Sequence, residues 1–307
     1  MIKLVAIVGP TAVGKSVLAV RLARTFNGEI VSADSRQIYR YMDIGTAKPG
    51  VEERALVPHH LIDILDPDQE FSVAMFQEIA CHAIEDIQQR RRQAFLVGGS
   101  GLYVRVVTGG FRIPHVPPDP EFRHKMEDIA EIEGTDALYG ELQRLDHEAA
   151  QRIDPRNVRR VIRALEVCYK TGMPFSKLQR QKPRFDTLII GLTTSRQDLY
   201  RRIDARVDDM IEHGLVQEMQ SLAERGYSLD MPSLSGLGYN EIGRYLRGEI
   251  SLIEAMQHIK HETHRFARHQ YAWFRLDDPG IQWFDVRNAM DEPIHSLVHT
   301  FLESMPQ

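Results

Sequence analysis

Residues 4–16 read LVAIVGPTAVGKS. Leu4 to Val8 is a short, unbroken apolar run, the pattern of a strand buried on both faces of a parallel sheet. The next eight residues fit G-x-x-x-x-G-K-[ST]. From Lys15 to Phe26 the chain turns amphipathic, with Val17, Leu18, Leu22 and Phe26 near helical spacing. Strand, glycine-rich turn and helix in that order make a P-loop. Glycines let the backbone wrap an anion, the N–H groups of the turn point inward, and the positive end of the helix dipole faces the phosphates. Gly9, Pro10, Thr11, Ala12, Val13, Gly14, Lys15 and Ser16 are therefore the expected phosphate-binding residues. Lys15 supplies a point charge, and the Ser16 hydroxyl is the expected ligand of Mg²⁺.

Working outward, Glu29–Ser32 (EIVS) reads as a second strand and Leu61–Leu65 (LIDIL) as a third. Ser72–Arg92 reads as a helix opened by a serine cap. Ala94–Val97 (AFLV) is another buried strand, closed by Gly98, Gly99, Ser100 and Gly101. Strands alternating with helices predict an α/β fold with a parallel sheet. The rhythm changes at Pro114, Pro117, Pro118 and Pro120, and from Asp119 to about Gly172 the pattern is helical throughout. Thr187–Leu192 returns to a strand signature, and Ser195–Arg225 and Asn240–Arg275 are again helical. The expected architecture is a P-loop NTPase-like parallel sheet core over 1–114, a helical insertion over 115–184, and core completion with C-terminal helices over 185–307. Trp273, Phe274 and Trp283 are expected in the core.

The chain has 307 residues, 43% hydrophobic and 26% charged, enough apolar content for a sizeable core. Its formal charge of −5 excludes a uniformly basic nucleic-acid binder, so any polyanion surface is local. Two distant cysteines, Cys81 and Cys168, exclude a disulfide framework and a Cys-based zinc knuckle. No signal peptide or apolar run of about 18 residues is visible, so a cytoplasmic protein without membrane contact is expected. Charge is unevenly placed. Residues 155–184 hold nine basic side chains (Arg156, Arg159, Arg160, Arg163, Lys170, Lys177, Arg180, Lys182 and Arg184) against Glu166 alone. Val158, Val161, Ile162, Leu165 and Cys168 form an apolar helical stripe, with Arg156, Arg159, Arg160 and Arg163 on the other side. A merely solvated face would mix signs, so this stripe favours RNA or phosphate contact. The histidines of HETH (261–264) do not match the zinc pattern HExxH and read as a polar helix surface.

A P-loop alone does not choose between hydrolysis and transfer. A nucleotide-hydrolysing enzyme usually carries an acid at the end of an apolar strand, yet AFLV ends in GGSG. Asp34 follows the strand EIVS, at the carboxyl edge where the P-loop also opens. From position it suits a metal ligand, a general base or a cap.

Several blocks now combine: GPTAVGKS, VSADSRQIYRYMDIGTAKP, PHHLIDILDP, LVGGSGLYVR, RNVRRVIRALEV, RIDARVDDM and SLSGLGYNEI. Together they resemble the bacterial tRNA dimethylallyltransferases, also called tRNA isopentenyltransferases, over nearly the whole chain. The pair DSRQIY and MDIGTAKP is far more specific than the P-loop. The resemblance implies transfer of a dimethylallyl group from dimethylallyl pyrophosphate to the exocyclic N6 amine of the adenosine just 3′ of the anticodon, tRNA position thirty-seven. The P-loop then holds the donor's pyrophosphate rather than ATP. By the same resemblance Asp34 is the base, Arg206 and Lys15 stabilise the leaving group, and the Thr11 hydroxyl lies beside the leaving oxygen. Contacts to tRNA are implied for Asp34, Ser35, Arg36 and Gln37, for Ser100 and Arg123, for Arg159, Arg160, Val161, Ile162 and Arg163, and for Ser235, Gly236, Leu237, Gly238 and Tyr239. The implied partners are the anticodon stem-loop of tRNA, the prenyl donor and Mg²⁺. No DNA partner is implied, and a monomer is expected.

Two other activities share the P-loop. A small-molecule or nucleotide kinase would use the insertion as a lid, but does not need DSRQIY or the basic segment. A prenyltransferase acting on free adenine nucleotides would share the donor site without needing an RNA clasp.

Overall fold

Leu4 to Val8, the five residues read as a buried strand, are fully buried. In the computed structural model, which describes residues 1–110, 113, 116–178 and 183–304, they belong to β1 (Ile2–Val8). The chain continues through α1 (Lys15–Thr25), β2 (Gly28–Ser32), α2 (Val51–Leu56), β3 (His59–His60), α3 (Val73–Gln89), β4 (Gln93–Val97) and α4 (Gly101–Thr108). Five helices follow: α5 (Pro120–Ile132), α6 (Thr135–Leu145), α7 (His147–Arg152), α8 (Val158–Thr171) and α9 (Phe175–Leu178). The remainder comprises β5 (Phe185–Thr193), α10 (Arg196–Glu212), α11 (Leu215–Glu224), α12 (Tyr239–Leu246), α13 (Leu252–Trp273), β6 (Ile281–Asp285) and α14 (Asp291–Glu303).

The six strands form one sheet in the order β3-β2-β4-β1-β5-β6, with every pairing parallel. Ile7 is in register with Val97 and Ile190, and Ser32 with Val97. Because all strands run the same way, the loops after β1, β2, β4 and β5 emerge at one edge. Val5, Ile7, Phe95, Ile190 and Leu192 form the core beneath that edge with Leu18 and Leu22 of α1. Each such side chain contributes about 1.5–3 kcal/mol on burial, so the sheet is a firm base for the loops above it.

The chain divides into two compact units, one of residues 1–108 with 184–307, the other of 109–183. The second unit is wholly helical among its described residues. Leu138 and Leu142 of α6 pack with Val161, Ile162 and Leu165 of α8. Asn157 opens α8 by accepting from the Arg160 N–H at 3.2 Å. Of the residues that marked this segment in the sequence, Pro114, Arg180 and Lys182 lie outside the described residues.

The expected strand at Leu61–Leu65 is corrected. Pairing stops at His60, because Leu61 and Asp63 take φ of 64° and 57°, which no strand permits. The segment is instead fastened to residues 37–40: the Ile64 and Leu65 N–H groups donate to the Ile38 carbonyl, and Arg40 N–H donates to Leu65. Asp63 accepts from Lys48 at 2.5 Å and from Arg54 at 2.6 Å. The helix opened by Ser72 forms as read, with Ser72 Oγ accepting from the Met75 N–H. The sequence reading does not resolve strand β6 and helix α14 separately, although Ile294, Leu297, Val298, Phe301 and Leu302 fall at helical spacing; Ile294 and Val298 are fully buried and the other three pack against the same core.

Candidate active site

The P-loop follows β1 directly. Gly9 has φ of 142°, and a Cβ there would stand 2.5 Å from the Leu192 carbonyl oxygen of β5. Only glycine fits so near a neighbouring strand. The loop closes at Gly14, whose φ of 104° lets it cap α1. Lys15 folds back over the turn, its ammonium donating to the carbonyls of Gly9 at 3.0 Å and Pro10 at 2.8 Å. Thr11, Lys15, Ser16, Asp34 and Arg206 all line the cleft above the turn. The P-loop with Thr11, the start of α1 with Lys15, the loop after β2 with Asp34 and helix α10 with Arg206 therefore bring together every residue expected to be catalytic.

The charges in this cleft are unbalanced. Burial lowers the Lys15 ammonium to about 7, and the nearby Arg206 guanidinium adds to the effect, while Asp34 opposes it. The residue as a whole is half-buried, so the crowding falls on its charged end. Burial also pulls Arg206 below the usual arginine range, again against Asp34. Arg206 Nη1 lies 3.5 Å from the Thr11 hydroxyl, at the limit of a hydrogen bond. Two crowded cations facing one carboxylate make a site that a polyanion completes.

Asp34 does not cap a helix. Its Oδ1 accepts from the Arg36 N–H at 2.8 Å and the Gln37 N–H at 3.4 Å, which fixes a turn. The turn holds the carboxylate on the cleft, and no hydrogen bond among the described residues engages Oδ2. The Ser16 hydroxyl lines the same cleft. Among the described residues, no group of three or more His, Cys, Asp or Glu converges on a point. The donor set suits a cation that takes one protein hydroxyl and completes its shell with phosphate oxygens and water, as Mg²⁺ does.

The segments implied for tRNA contact separate into exposed and anchoring residues. Ser100 lines the cleft. Ser35 is half-buried. Arg36 donates to the carbonyls of Pro232 at 2.8 Å and Ser233 at 2.7 Å, and to Ser235 Oγ at 3.3 Å. This links residues 34–37 to residues 232–235, which lead into the segment 235–239. Gln37 accepts from Ser32 and donates to the carbonyls of Thr46 and Ala47. Tyr239 is 1% exposed, so its side chain is not available to RNA. Its hydroxyl donates to Glu218 at 2.6 Å, and its ring fills the space where a Cβ at Gly45 would stand. Gly236 and Leu237 are half-buried and Gly238 is buried.

In the helical unit, Val161 and Ile162 are core residues, and only their backbone is left for recognition. Arg123 and Arg163 both pair with the fully buried Glu166. Arg159 and Arg160 are exposed and have no ion-pair partner among the described residues. The basic segment is also less lopsided than its sequence count. Arg156 pairs with Asp154 at 2.8 Å, Lys170 with Asp119 at 2.5 Å and Arg184 with Glu85 at 2.7 Å. Phe274 is buried as expected, whereas Trp273 and Trp283 are half-buried.

Two functional-site residues escaped the sequence reading. Gln270 of α13 is buried at the cleft and bonded to two of its loops. Glu218 of α11 accepts from the N–H groups of Asp43, Ile44 and Gly45 as well as from Tyr239. For Gln270 a signal existed: it falls three residues after Ala267 and four before Phe274, both buried, and so interrupts an apolar stripe. Glu218 sits on a half-exposed helix face and carries no such signal.

A parallel sheet with a P-loop at its carboxyl edge, two crowded cations and a facing carboxylate define a P-loop enzyme of group transfer on a phosphorylated substrate. The family model described as "IPP transferase" matches residues 37–277, and that for "Isopentenyl transferase" matches residues 2–59. The chain belongs to the IPP transferase family. It is 55% identical over 276 residues to the tRNA dimethylallyltransferase of Roseiflexus sp. strain RS-1, covering 90% of each chain. The tRNA isopentenylpyrophosphate transferase of Bacillus halodurans matches in structure with a TM-score of 0.74 and 44% identity, over 99% of this chain and 97% of that one. A eukaryotic dimethylallyltransferase captured acting on tRNA matches with a TM-score of 0.82 and 29% identity, over 100% of this chain and 81% of that one. Among the described residues no helix is long and apolar enough to cross a membrane.

Proposed function

We propose that this protein transfers a dimethylallyl group from dimethylallyl pyrophosphate to the N6 amine of the adenosine beside the anticodon of tRNA, position thirty-seven, and releases pyrophosphate. The observation that carries this reading is the meeting of Asp34 with Lys15, Arg206 and Thr11 in one cleft above the P-loop. The adenine amine is a weak nucleophile because its lone pair is delocalised. As N6 bonds to C1 of the allyl group, the C1–O bond breaks and its electron pair leaves with pyrophosphate. The N6 proton passes to Asp34, whose turn keeps it on the cleft. Lys15, Arg206 and the loop N–H groups stabilise the charge that builds on the leaving oxygens. The Ser16 hydroxyl would hold Mg²⁺, which would supply further charge compensation for the leaving diphosphate. The target base leaves its stack to reach the cleft, at a cost of a few kcal/mol. The exposed Arg159 and Arg160 support backbone contact with the anticodon stem-loop.

The test is incubation of purified protein and Mg²⁺ with unmodified tRNA and labelled dimethylallyl pyrophosphate, beside reactions with AMP and with labelled ATP. Label entering tRNA from the prenyl donor is expected. Label entering AMP instead would point to a free-nucleotide prenyltransferase, and phosphate transfer from ATP without prenylation would point to a kinase.

A further inference from the structure

Gln270 reaches the cleft from α13, more than two hundred and fifty residues away in sequence from the loop it touches, and is 4% exposed. Its Oε1 accepts from the Thr11 N–H at 2.8 Å, and its Nε2 donates to the Gly99 carbonyl at 3.0 Å. An N–H cannot accept and a carbonyl cannot donate, so the two contacts fix the amide in one orientation. They also join the loops that follow β1 and β4, adjacent strands of the sheet. The fit is close: a Cβ on Gly99 would stand 2.2 Å from Gln270 Nε2. Beyond these contacts, Thr11 presents its hydroxyl 3.5 Å from Arg206, and Ser100 follows Gly99 on the cleft.

We infer that Gln270 is a positioning residue for the transfer step: by pinning the Thr11 backbone to the Gly98–Ser100 loop, it aims the Thr11 hydroxyl and Arg206 together at the oxygen that leaves with pyrophosphate. It also occupies the Thr11 N–H, which leaves phosphate binding to the donors further along the loop. This rests on the reading of the cleft as the site of the prenyl donor. Aim of this kind acts on the reacting geometry more than on ground-state binding, and a misplacement of about 1 Å costs up to about a hundredfold in rate.

The test compares the wild-type protein with Gln270→Met and Gln270→Glu in steady-state transfer to tRNA. Gln270→Met keeps the volume and loses both contacts. Its kcat is expected to fall about 10- to 100-fold while KM for dimethylallyl pyrophosphate moves less than about threefold. A protonated Glu offers the same acceptor and donor as the amide, whereas a carboxylate faces the Gly99 carbonyl with no proton. The ratio of Gln270→Glu to wild-type kcat is therefore expected to rise as pH falls from about 8 to about 6, since burial raises a carboxyl group. Lys15, Asp34, His59 and Arg206, the other titratable groups of the cleft, are present in both proteins, so the ratio reports the added carboxyl group together with the shifts its charge induces in them. Wild-type kcat in a folded Gln270→Met protein, a loss confined to KM, or a ratio flat in pH overturns the inference. Should Gln270→Met fail to fold, the pH ratio of the near-isosteric Glu variant decides alone. No transfer by the wild-type protein would instead overturn the donor-site reading itself.

Discussion

Lys15 should report donor binding through its proton. Burial and the neighbouring Arg206 bring its ammonium from 10.5 to about 7, an electrostatic cost of about 5 kcal/mol at low pH. A bound diphosphate places opposite charge beside it and restores the protonated form. At pH 8.5 most of the free protein carries neutral Lys15, so binding of pyrophosphate takes up about 0.9 proton at this site. The contribution of Lys15 to affinity then falls about tenfold per pH unit above 7, until the bound-state value is reached. Folding follows the same sign. Between about 7 and 10.5 the unfolded chain binds more protons at Lys15 than the folded one, so the ligand-free protein gains stability as pH rises through that window. Calorimetric titration with inorganic pyrophosphate and Mg²⁺ at pH 8.5, in buffers of different ionisation enthalpy, measures the proton count. Pyrophosphate titrates too, so the quantity read is the wild-type value minus that of Lys15→Met. A difference near zero, or an affinity difference constant from pH 7 to 9, would refute the argument that Arg206 and burial hold Lys15 near neutrality.

Asp34→Asn keeps the oxygen that accepts from Arg36 and Gln37 but not the base, so it should lower kcat by about 10²–10⁴-fold with tRNA affinity retained; normal turnover in transfer assays would remove Asp34 from proton transfer. Arg159→Ala and Arg160→Ala should each reduce the slope of log affinity against log salt for tRNA by about 1, while Arg163→Ala should chiefly lower the melting temperature, because it leaves the buried Glu166 with one fewer partner. An unchanged salt slope in the Arg159 and Arg160 variants would take them out of the RNA surface. Glu218→Ala strands the N–H groups of Asp43, Ile44 and Gly45 and the Tyr239 hydroxyl, and should cost about 2–4 kcal/mol in urea unfolding; Tyr239→Phe, which removes one of the four contacts, should cost about 1 kcal/mol. Equal losses for the two variants would contradict the four-contact role of Glu218.

What the sequence determined by itself is local. The run LVAIV, the glycine spacing of GPTAVGKS and the helix after it specify a strand, an anion cradle and a cap within a few residues, and the structure forms each there. Asp34 was placed at the right edge because strand direction alone puts a carboxyl end beside a carboxyl end in a parallel sheet. Tertiary structure decided what depends on partners distant in the chain. Leu61–Leu65 has strand composition, yet Lys48, Arg54 and the Ile38 carbonyl hold it in a bent path. The surplus of positive charge over residues 155–184 shrinks once Asp119, Asp154 and Glu85 arrive, leaving Arg159 and Arg160 as the exposed residues of the stripe with no ion-pair partner among the described residues. Tyr239, read as an RNA contact, is fixed inside by Glu218, and Gln270 ties two loops from a helix that no local pattern connects to them. A backbone turn is set by torsional preferences that each residue carries with it, whereas a buried amide or carboxylate is stable only where the fold delivers complementary donors and acceptors, and those come from anywhere in the chain.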